Sequence, residues 1–308
     1  MTDGARPRIL ALFPGALGDL LCCWPSLAAL QRTTAARLTL VARDAWFPVL
    51  PEDAVRQLSI DRREVADLFG TAPIDDATRV LFSGFSRVES WTGHGDDAFE
   101  RRLREVGAGA SVAVHPFRLL RRREHASEYY GRCIGIEPWV RTLPVHPAAL
   151  DWAEQLWQRH ELGRALAIHP GSGGARKNWE GMGEVAAAWR AQGRRVIALL
   201  GPAEDQRARS IPHDVAIRSE PLDRIAALLA RTQCYVGNDS GLSHLAGAVG
   251  ARGVALFGPT DPVAWRPLGA GIRILHAPHE CRQCGADRFC THRLPVEQVL
   301  AVLRATKD

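Results

Sequence analysis

Short apolar runs alternate with amphipathic helical patterns along almost the whole chain. The first half predicts strands at 8–13, 38–41, 79–82 and 111–114, and helices at 19–31, 97–106 and 125–134. The second half predicts strands at 165–169, 195–200, 215–218, 234–236 and 253–257, and helices at 147–159, 180–192, 222–230, 241–249 and 295–304. Strands that alternate with helices in this way are typical of parallel sheets built from βαβ units.

The pattern divides into two sets at the segment 143–147, which holds two prolines and reads as a linker. The sequence therefore predicts an α/β chain with two doubly wound domains, 1–146 and 147–308. Ligands of such sheets bind outside the carboxyl ends of the strands. The loops that follow the predicted strands are the first places to look for chemistry.

The composition is that of an ordinary globular protein, with 46% hydrophobic and 24% charged residues among 308. No apolar run approaches the roughly 18–20 residues of a membrane span. Pro14, Gly15 and Gly18 interrupt the first apolar stretch too early for a signal peptide, so we expect a cytoplasmic protein. The net charge of +5 is mild and spread out, which argues against nucleic acid as a partner.

The first strand-to-helix junction, at 13–21, carries the sequence FPGALGDLL and ends near Asp19. One interpretation makes Asp19 a helix N-cap, a position that aspartate favours strongly. The other makes it a catalytic carboxylate. The spacing does not match the G-x-G-x-x-G fingerprint, so a nicotinamide cofactor is not favoured.

Two junctions in the second half suit phosphate and ribose. The loop at 167–179 is glycine-rich and includes Ser172 and Lys177. Its backbone N–H groups and the lysine charge fit a pyrophosphate, although it is not a P-loop and the alternative is a surface loop. Glu204, in the junction at 198–209, could bind ribose hydroxyls, or it could simply complement a helix N-terminus.

A further junction, at 235–265, runs from a strand into Asp239, Ser240 and Gly241, and His244 follows about one turn later. Free N–H groups at this helix start would point toward a bound phosphate, and His244 could add a hydrogen bond. The alternatives are an N-cap role for Asp239 and an ordinary helix histidine at 244. The occurrence of two anion-suited loops in one half favours the functional interpretation.

Together these residues resemble glycosyltransferase family 9, the lipopolysaccharide heptosyltransferase family. The matching pieces are GALGDLL…P.L..L at 15–30, HPGSG…K.W at 169–179, GP.ED at 201–205 and GNDSGLSHLAGAVG…VALFGPTDP..W.P at 237–267. The resemblance implies a GT-B fold, in which two Rossmann-like domains face a central cleft. It further implies that the N-terminal domain binds the acceptor and the C-terminal domain binds the nucleotide-sugar donor.

The resemblance also implies an inverting, metal-independent transfer without a cofactor, usually of heptose from ADP-heptose to a lipopolysaccharide core sugar. The family's catalytic aspartate falls on Asp19. The family's donor-binding positions fall on Ser172, Lys177, Glu204, Asp239, Ser240, Gly241 and His244.

The sequence constrains the acceptor-binding residues less than the donor-binding residues. An arginine cluster suited to a phosphorylated or carboxylated acceptor follows the predicted strand at 111–114. The alternative is a solvated loop. We assign acceptor binding to Gly18, Arg118, Arg121 and Arg122.

The seven cysteines include three in a C-terminal tail with a nearby histidine. Cys281, Cys284, Cys290 and His292 could form a zinc site, but the last two are closer than ordinary finger spacing. A disulfide is a second alternative. Free thiols are the interpretation we favour.

The resemblance implies a glycosyltransferase whose partners are a nucleotide-sugar and a lipopolysaccharide or other glycan acceptor. Two alternatives remain open: a nucleotide-sugar epimerase of the same architecture, and a non-catalytic nucleotide-sugar-binding protein. A lipid acceptor would allow at most a peripheral association with the inner face of the inner membrane, since no anchor is evident.

Overall fold

The computed structural model describes residues 6–51, 55–201, 209–276, 291 and 294–306. It forms two compact units, Met1–Trp139 and Val140–Asp308. The division precedes the boundary that the sequence suggested after residue 146. The reason lies in the predicted linker, where the N–H of the buried Leu143 donates to the carbonyl of Ala248 at 2.7 Å. This hydrogen bond ties the segment to the C-terminal unit.

The N-terminal unit contains a five-stranded parallel sheet with the order β3-β2-β1-β4-β5. Its strands are β1 (Arg8–Leu12), β2 (Arg37–Ala42), β3 (Val55–Ser59), β4 (Arg87–Ser90) and β5 (Ser111–Val114). Its helices are α1 (Leu17–Thr34), α2 (Arg63–Ala66), α3 (Asp76–Phe82), α4 (Asp97–Val106) and α5 (Ala126–Ile134), with 3₁₀ turns at Asp44–Val49 and Asp67–Phe69. The central position of β1 places the loop that follows it at the middle of the carboxyl edge.

The strand predicted at 79–82 is wrong, because these residues belong to α3. Asp75 caps this helix by accepting the N–H of Thr78 at 2.8 Å. Val80 is 73% exposed while Phe82 is buried, so the apolar run has the one-sided burial of a helix.

The actual strand is β4, whose pattern is hidden by a buried charge. Glu89 is only 2% exposed and pairs with Arg87 and with His115, whose Nε2 lies 2.5 Å from its carboxylate. A glutamate in the middle of a short run does not look like a buried strand, yet its partners make its burial possible.

The C-terminal unit contains a six-stranded parallel sheet with the order β11-β10-β9-β6-β7-β8. Its strands are β6 (Leu166–His169), β7 (Val196–Leu200), β8 (Val215–Arg218), β9 (Cys234–Asn238), β10 (Gly253–Phe257) and β11 (Ile272–His276). The described helices are α6 (Pro147–Arg159), α7 (Met182–Arg190), α8 (Leu222–Arg231), α9 (Gly241–Ala248), α10 (Pro262–Trp265) and α11 (Val296–Ala305), with a 3₁₀ turn at Ala175–Lys177.

The predicted α/β class, with parallel sheets and alternating helices, is confirmed in both units. Strands β6, β7, β9 and β10 are buried along their whole length, which explains their continuous apolar runs. The sequence missed β3 and β11, which are edge strands with mixed burial. Within the described part of the chain, no helix is both long enough and apolar enough to cross a membrane.

Asp214, immediately before β8, connects segments at the amino ends of the strands in the C-terminal sheet. Its carboxylate accepts the N–H of Val196 at 2.8 Å, two hydrogen bonds from Arg190 at 3.2 Å and one from Arg195 at 3.1 Å. Burial raises the pKa of this carboxyl, but the hydrogen bonds outweigh burial and lower the pKa below its ordinary value of 3.8.

We expect Asp214→Asn to lower the free energy of unfolding by about 1 kcal/mol at neutral pH. Because the folded-state pKa lies below 3.8, this contribution is present above the unfolded-state pKa and is lost as the pH falls through the folded-state value. Urea unfolding of both proteins at several pH values measures the effect, with the exposed Asp151→Asn as control. A difference that stays constant down to pH 3 would contradict the assignment.

Candidate functional site

Asp19 is the third residue of α1 and lies at the carboxyl end of the central strand β1. Its Oδ2 accepts the backbone N–H of Ala16 at 3.1 Å, and Ala16 is itself the N-cap residue. The N-cap interpretation of Asp19 is therefore wrong, because the carboxylate reaches back from within the first turn. Asp19 is only 4% exposed.

Gly15 allows the close approach between the loop and this carboxylate. A Cβ at Gly15 would collide with the ring of Phe13 and would lie 2.8 Å from the Cβ of Asp19. The indole N–H of Trp46 donates to the carbonyl of Gly15 at 3.1 Å and fixes the loop. The glycine is needed for space here.

A bidentate ion pair covers Asp19. The Nε of Arg118 lies 2.9 Å from Oδ1 and its Nη2 lies 2.6 Å from Oδ2. Partial burial lowers the pKa of the Arg118 guanidinium, but its hydrogen bond and charge interaction with Asp19 prevail and raise it. Arg118 also lies over the ring of Phe117, 4.8 Å from its centroid, and stays half exposed. Both oxygens of the carboxylate are thus held in one orientation.

A cluster of aromatic rings packs around Phe13, and one of its members, Phe117, contacts Arg118. The ring of Phe13 packs edge-on against Tyr130 at 5.4 Å, Trp91 at 5.7 Å and Phe117 at 5.8 Å. Burial raises the pKa of the Tyr130 hydroxyl, and the charge of Asp19 raises it further. Tyr130 therefore stays protonated at neutral pH.

The structure divides the arginines that the sequence grouped as an acceptor site. Arg118 is occupied by Asp19, whereas Arg121 and Arg122 are exposed. The backbone N–H of Arg121 donates to Glu124 at 2.6 Å, which shapes the loop. Gly18 is half-buried at the second position of α1, next to Asp19.

In the C-terminal unit, Asn238 at the end of β9 holds both ends of the glycine-rich loop. Its Nδ2 donates to the carbonyl of Pro170 at 2.8 Å, and its Oδ1 accepts the N–H of Trp179 at 3.0 Å. Asn238 is completely buried. The sequence analysis includes Asn238 only within the junction at 235–265. A polar residue at the end of an apolar strand is the signal that could have identified it.

Ser172 organises the interior of that loop. Its Oγ lies 2.7 Å from both the carbonyl of Gly174 and the Oδ1 of Asn178, and it also accepts the N–H of Gly174. The loop then turns through the 3₁₀ segment to Lys177. Ser172 is therefore built into the loop's own hydrogen bonding while remaining partly accessible.

An ion pair between Lys177 and Asp239 connects the glycine-rich loop at 167–179 with the junction that follows β9. The Nζ of Lys177 lies 2.6 Å from Oδ2 of Asp239, and the lysine side chain stays 31% exposed while the aspartate is buried. An ammonium group has three N–H donors, so Lys177 can contact an anion while Asp239 holds it.

The N-terminus of α9 lies directly beyond Asp239. Ser240 is the N-cap residue, and the first intrahelical bonds run from the N–H groups of Ser243 and His244 to its carbonyl. The N–H groups of Gly241 and Leu242 precede that ladder, as expected at a helix start. His244 is buried one turn into the helix.

Several predicted positions fall outside the described residues: Glu204, Cys281, Cys284, Cys290 and His292. Among the residues that the structure describes, no group of three or more histidine, cysteine, aspartate or glutamate side chains could hold a metal ion. Cys22, Cys23, Cys133 and Cys234, which the structure describes, form no disulfide among the described residues.

We expect Arg118→Gln to lower the free energy of unfolding by about 1–3 kcal/mol, because the buried carboxylate of Asp19 loses its charged partner. Arg121→Gln removes the same charge from an exposed arginine of the same loop, and we expect no measurable effect. Chemical denaturation of both variants provides the comparison. Equal stabilities would mean that the ion pair contributes nothing.

Residues 142–291 match the family model described as "Glycosyltransferase family 9 (heptosyltransferase)". Among curated relatives, lipopolysaccharide heptosyltransferase 3 of Escherichia coli is 26% identical over 151 residues, which cover 44% of this chain and 44% of that protein. The matched stretch thus spans less than half the length of this relative.

Solved structures extend the likeness over the whole chain. The glycosyltransferase family 9 protein of Veillonella parvula DSM 2008 has a TM-score of 0.81 at 18% identity, covering 99% of this chain and 98% of its own. The E. coli heptosyltransferase WaaC with ADP has a TM-score of 0.68 at 19% identity, and the match covers 97% of this chain and 99% of that one. At these identities the likeness shows the fold, which is GT-B.

The family match lies in the unit that carries the glycine-rich loop and the start of α9, and the shared fold extends through both units. Residues 142–291 are thus similar to glycosyltransferase family 9, the heptosyltransferase family, and the rest of the chain shares the fold of its solved members.

Proposed function

We propose that the chain is an inverting glycosyltransferase that moves a sugar from a nucleotide-sugar donor to a hydroxyl of a lipopolysaccharide core or related glycan. ADP-heptose is the donor we favour. The family match over 142–291, the heptosyltransferase relatives and the ADP in the related E. coli structure support this choice. A lipid-linked acceptor would bring the protein to the inner face of the inner membrane.

The observation that carries the proposal is the convergence of Lys177, Asp239 and the start of α9 at one edge of a parallel sheet. A diphosphate there would meet the lysine charge and the N–H groups of Gly241 and Leu242. Aligned donors of this kind bind anions without a metal ion. Asp239 serves to position Lys177.

The same groups would stabilise the leaving group during transfer. As the anomeric carbon–oxygen bond breaks, its electron pair moves onto the diphosphate, and Lys177 lies beside the charge that develops. Fixed donors aimed at a growing charge contribute a few kcal/mol each when water is excluded. His244 lies buried one turn further along α9, and in the proposal it stays a donor-binding residue that gives the diphosphate a further hydrogen bond.

Asp19 is the general base of the proposal. The acceptor hydroxyl gives its proton to a carboxylate oxygen of Asp19 while its oxygen bonds to the anomeric carbon from the face opposite the leaving diphosphate. Each carboxylate oxygen has two lone pairs, so Asp19 can accept this proton while Arg118 keeps the carboxylate oriented. Arg118 is thereby a positioning residue.

We expect ADP to bind the purified chain in EDTA, and Lys177→Ala to weaken this binding about tenfold or more, because a charge-assisted contact to phosphate is lost. Isothermal titration calorimetry measures the change. Arg176→Ala, one residue away and exposed, is the matched control. Equal losses in both variants would mean that Lys177 does not contact the nucleotide.

We expect Asp19→Asn to reduce sugar transfer by at least about a hundredfold, because the amide cannot accept the proton, and to leave ADP affinity within about twofold. Transfer of labelled heptose from ADP-heptose to lipopolysaccharide truncated at its inner core is the assay. Unchanged transfer would remove Asp19 from the mechanism.

The same assay separates the alternatives. Conversion of ADP-heptose without any acceptor would indicate an epimerase. Donor binding without turnover on any glycan would indicate a binding protein.

A further inference from the structure

A basic pocket lies at the amino ends of strands in the C-terminal sheet, on the side opposite the candidate donor site. It occupies about 640 Å³ beside the amino ends of β6, β7 and β8. The glycine-rich loop and the start of α9 both follow the carboxyl ends of strands. Because parallel strands share one direction, the two sites lie at opposite edges of one sheet, and the pocket is separate from the proposed donor site.

The charge of the pocket is positive. Its ionisable lining residues are Arg164, Arg190, Arg194, Arg195, Glu161 and Asp214. Four guanidinium groups therefore face two carboxylates. Asp214 satisfies Arg190 and Arg195, as described above, and it is the carboxylate that makes ion pairs there.

Arg164 and Arg194 are the unmatched cations. Within the described part of the chain, neither forms an ion pair. The guanidinium of Arg194 lies over the ring of Trp189 at 4.8 Å, and its Nη1 is buried without a hydrogen-bond partner among these residues. A buried charged donor that lacks an acceptor is costly. Arg194 also lines the pocket, so an anion there would offset the charge of its guanidinium.

The pocket has the donors for an oxyanion, and its volume has room for the molecule that carries the oxyanion. Guanidinium groups bind phosphate oxygens through paired N–H groups. Arg195 uses only its Nη1 on Asp214, so its other N–H groups add to those of Arg164 and Arg194. We propose that this pocket binds a phosphate group, carried by a free phosphate ester or by a phospholipid headgroup.

The test is titration of the full chain, in a phosphate-free buffer at low salt, with inorganic phosphate, pyrophosphate and vesicles containing phosphatidylglycerol. We expect Arg194→Gln and Arg164→Gln each to weaken binding about fivefold or more. We expect Asp214→Asn to strengthen it, because this change frees two arginines. Arg56→Gln removes one exposed charge from the N-terminal unit and is the matched control.

Lys177→Ala separates this site from the proposed donor site. Phosphate binding that survives Lys177→Ala and is weakened by Arg164→Gln supports the inference, whatever the fate of the proposed glycosyl transfer. Should Arg194→Gln fail to fold, the exposed Arg164 decides the outcome. Vesicle binding with the same dependence on Arg164, but no binding of free phosphate, identifies a phospholipid as the source.

Three results would overturn the inference. The first is the absence of binding to all three probes. The second is an equal loss of affinity in Arg56→Gln, which would indicate general charge attraction. The third is a loss confined to Lys177→Ala, which would place the phosphate in the donor site.

Discussion

The candidate donor site depends on the side-chain amide of Asn238. It lies at the end of a buried strand and bonds to backbone groups at both ends of the glycine-rich loop. The amide donates at one end and accepts at the other, so both of its functions are used. Because a loop with three glycines is conformationally permissive, this amide, together with the hydrogen bonds of Ser172 and the Lys177–Asp239 pair, limits the conformations of the loop.

The neighbouring contacts extend this order into α9. Ser243 donates its hydroxyl to the carbonyl of Asn238 at 2.6 Å, so the hydroxyl of Tyr235, 2.9 Å away, must donate to Ser243. Burial raises the pKa of Tyr235, which keeps this donor protonated. The start of α9 is therefore fixed by a buried network before any ligand arrives, which reduces the reorganisation that binding requires.

In the N-terminal unit, the nearly buried carboxylate of Asp19 lies beside a charged partner. Arg118 provides the countercharge, and the N–H of Ala16 provides a further donor. Phe13, Trp91 and Tyr130 form an aromatic cluster in the same unit. A base held in this way has its orientation set by the protein, since neither oxygen can turn without breaking a charged hydrogen bond.

The sequence by itself determined the α/β class, most strands and the loops that carry the candidate chemistry, because buried parallel strands and glycine-rich turns leave strong local patterns. Tertiary structure decided the rest. Residues 79–82 form a helix that the nearby Asp75 caps. Glu89 lies in a buried strand, where His115, 26 residues further along the chain, contacts its carboxylate. Arg118 pairs with Asp19, 99 residues away. The last two contacts join residues far apart in the chain, which no local pattern records.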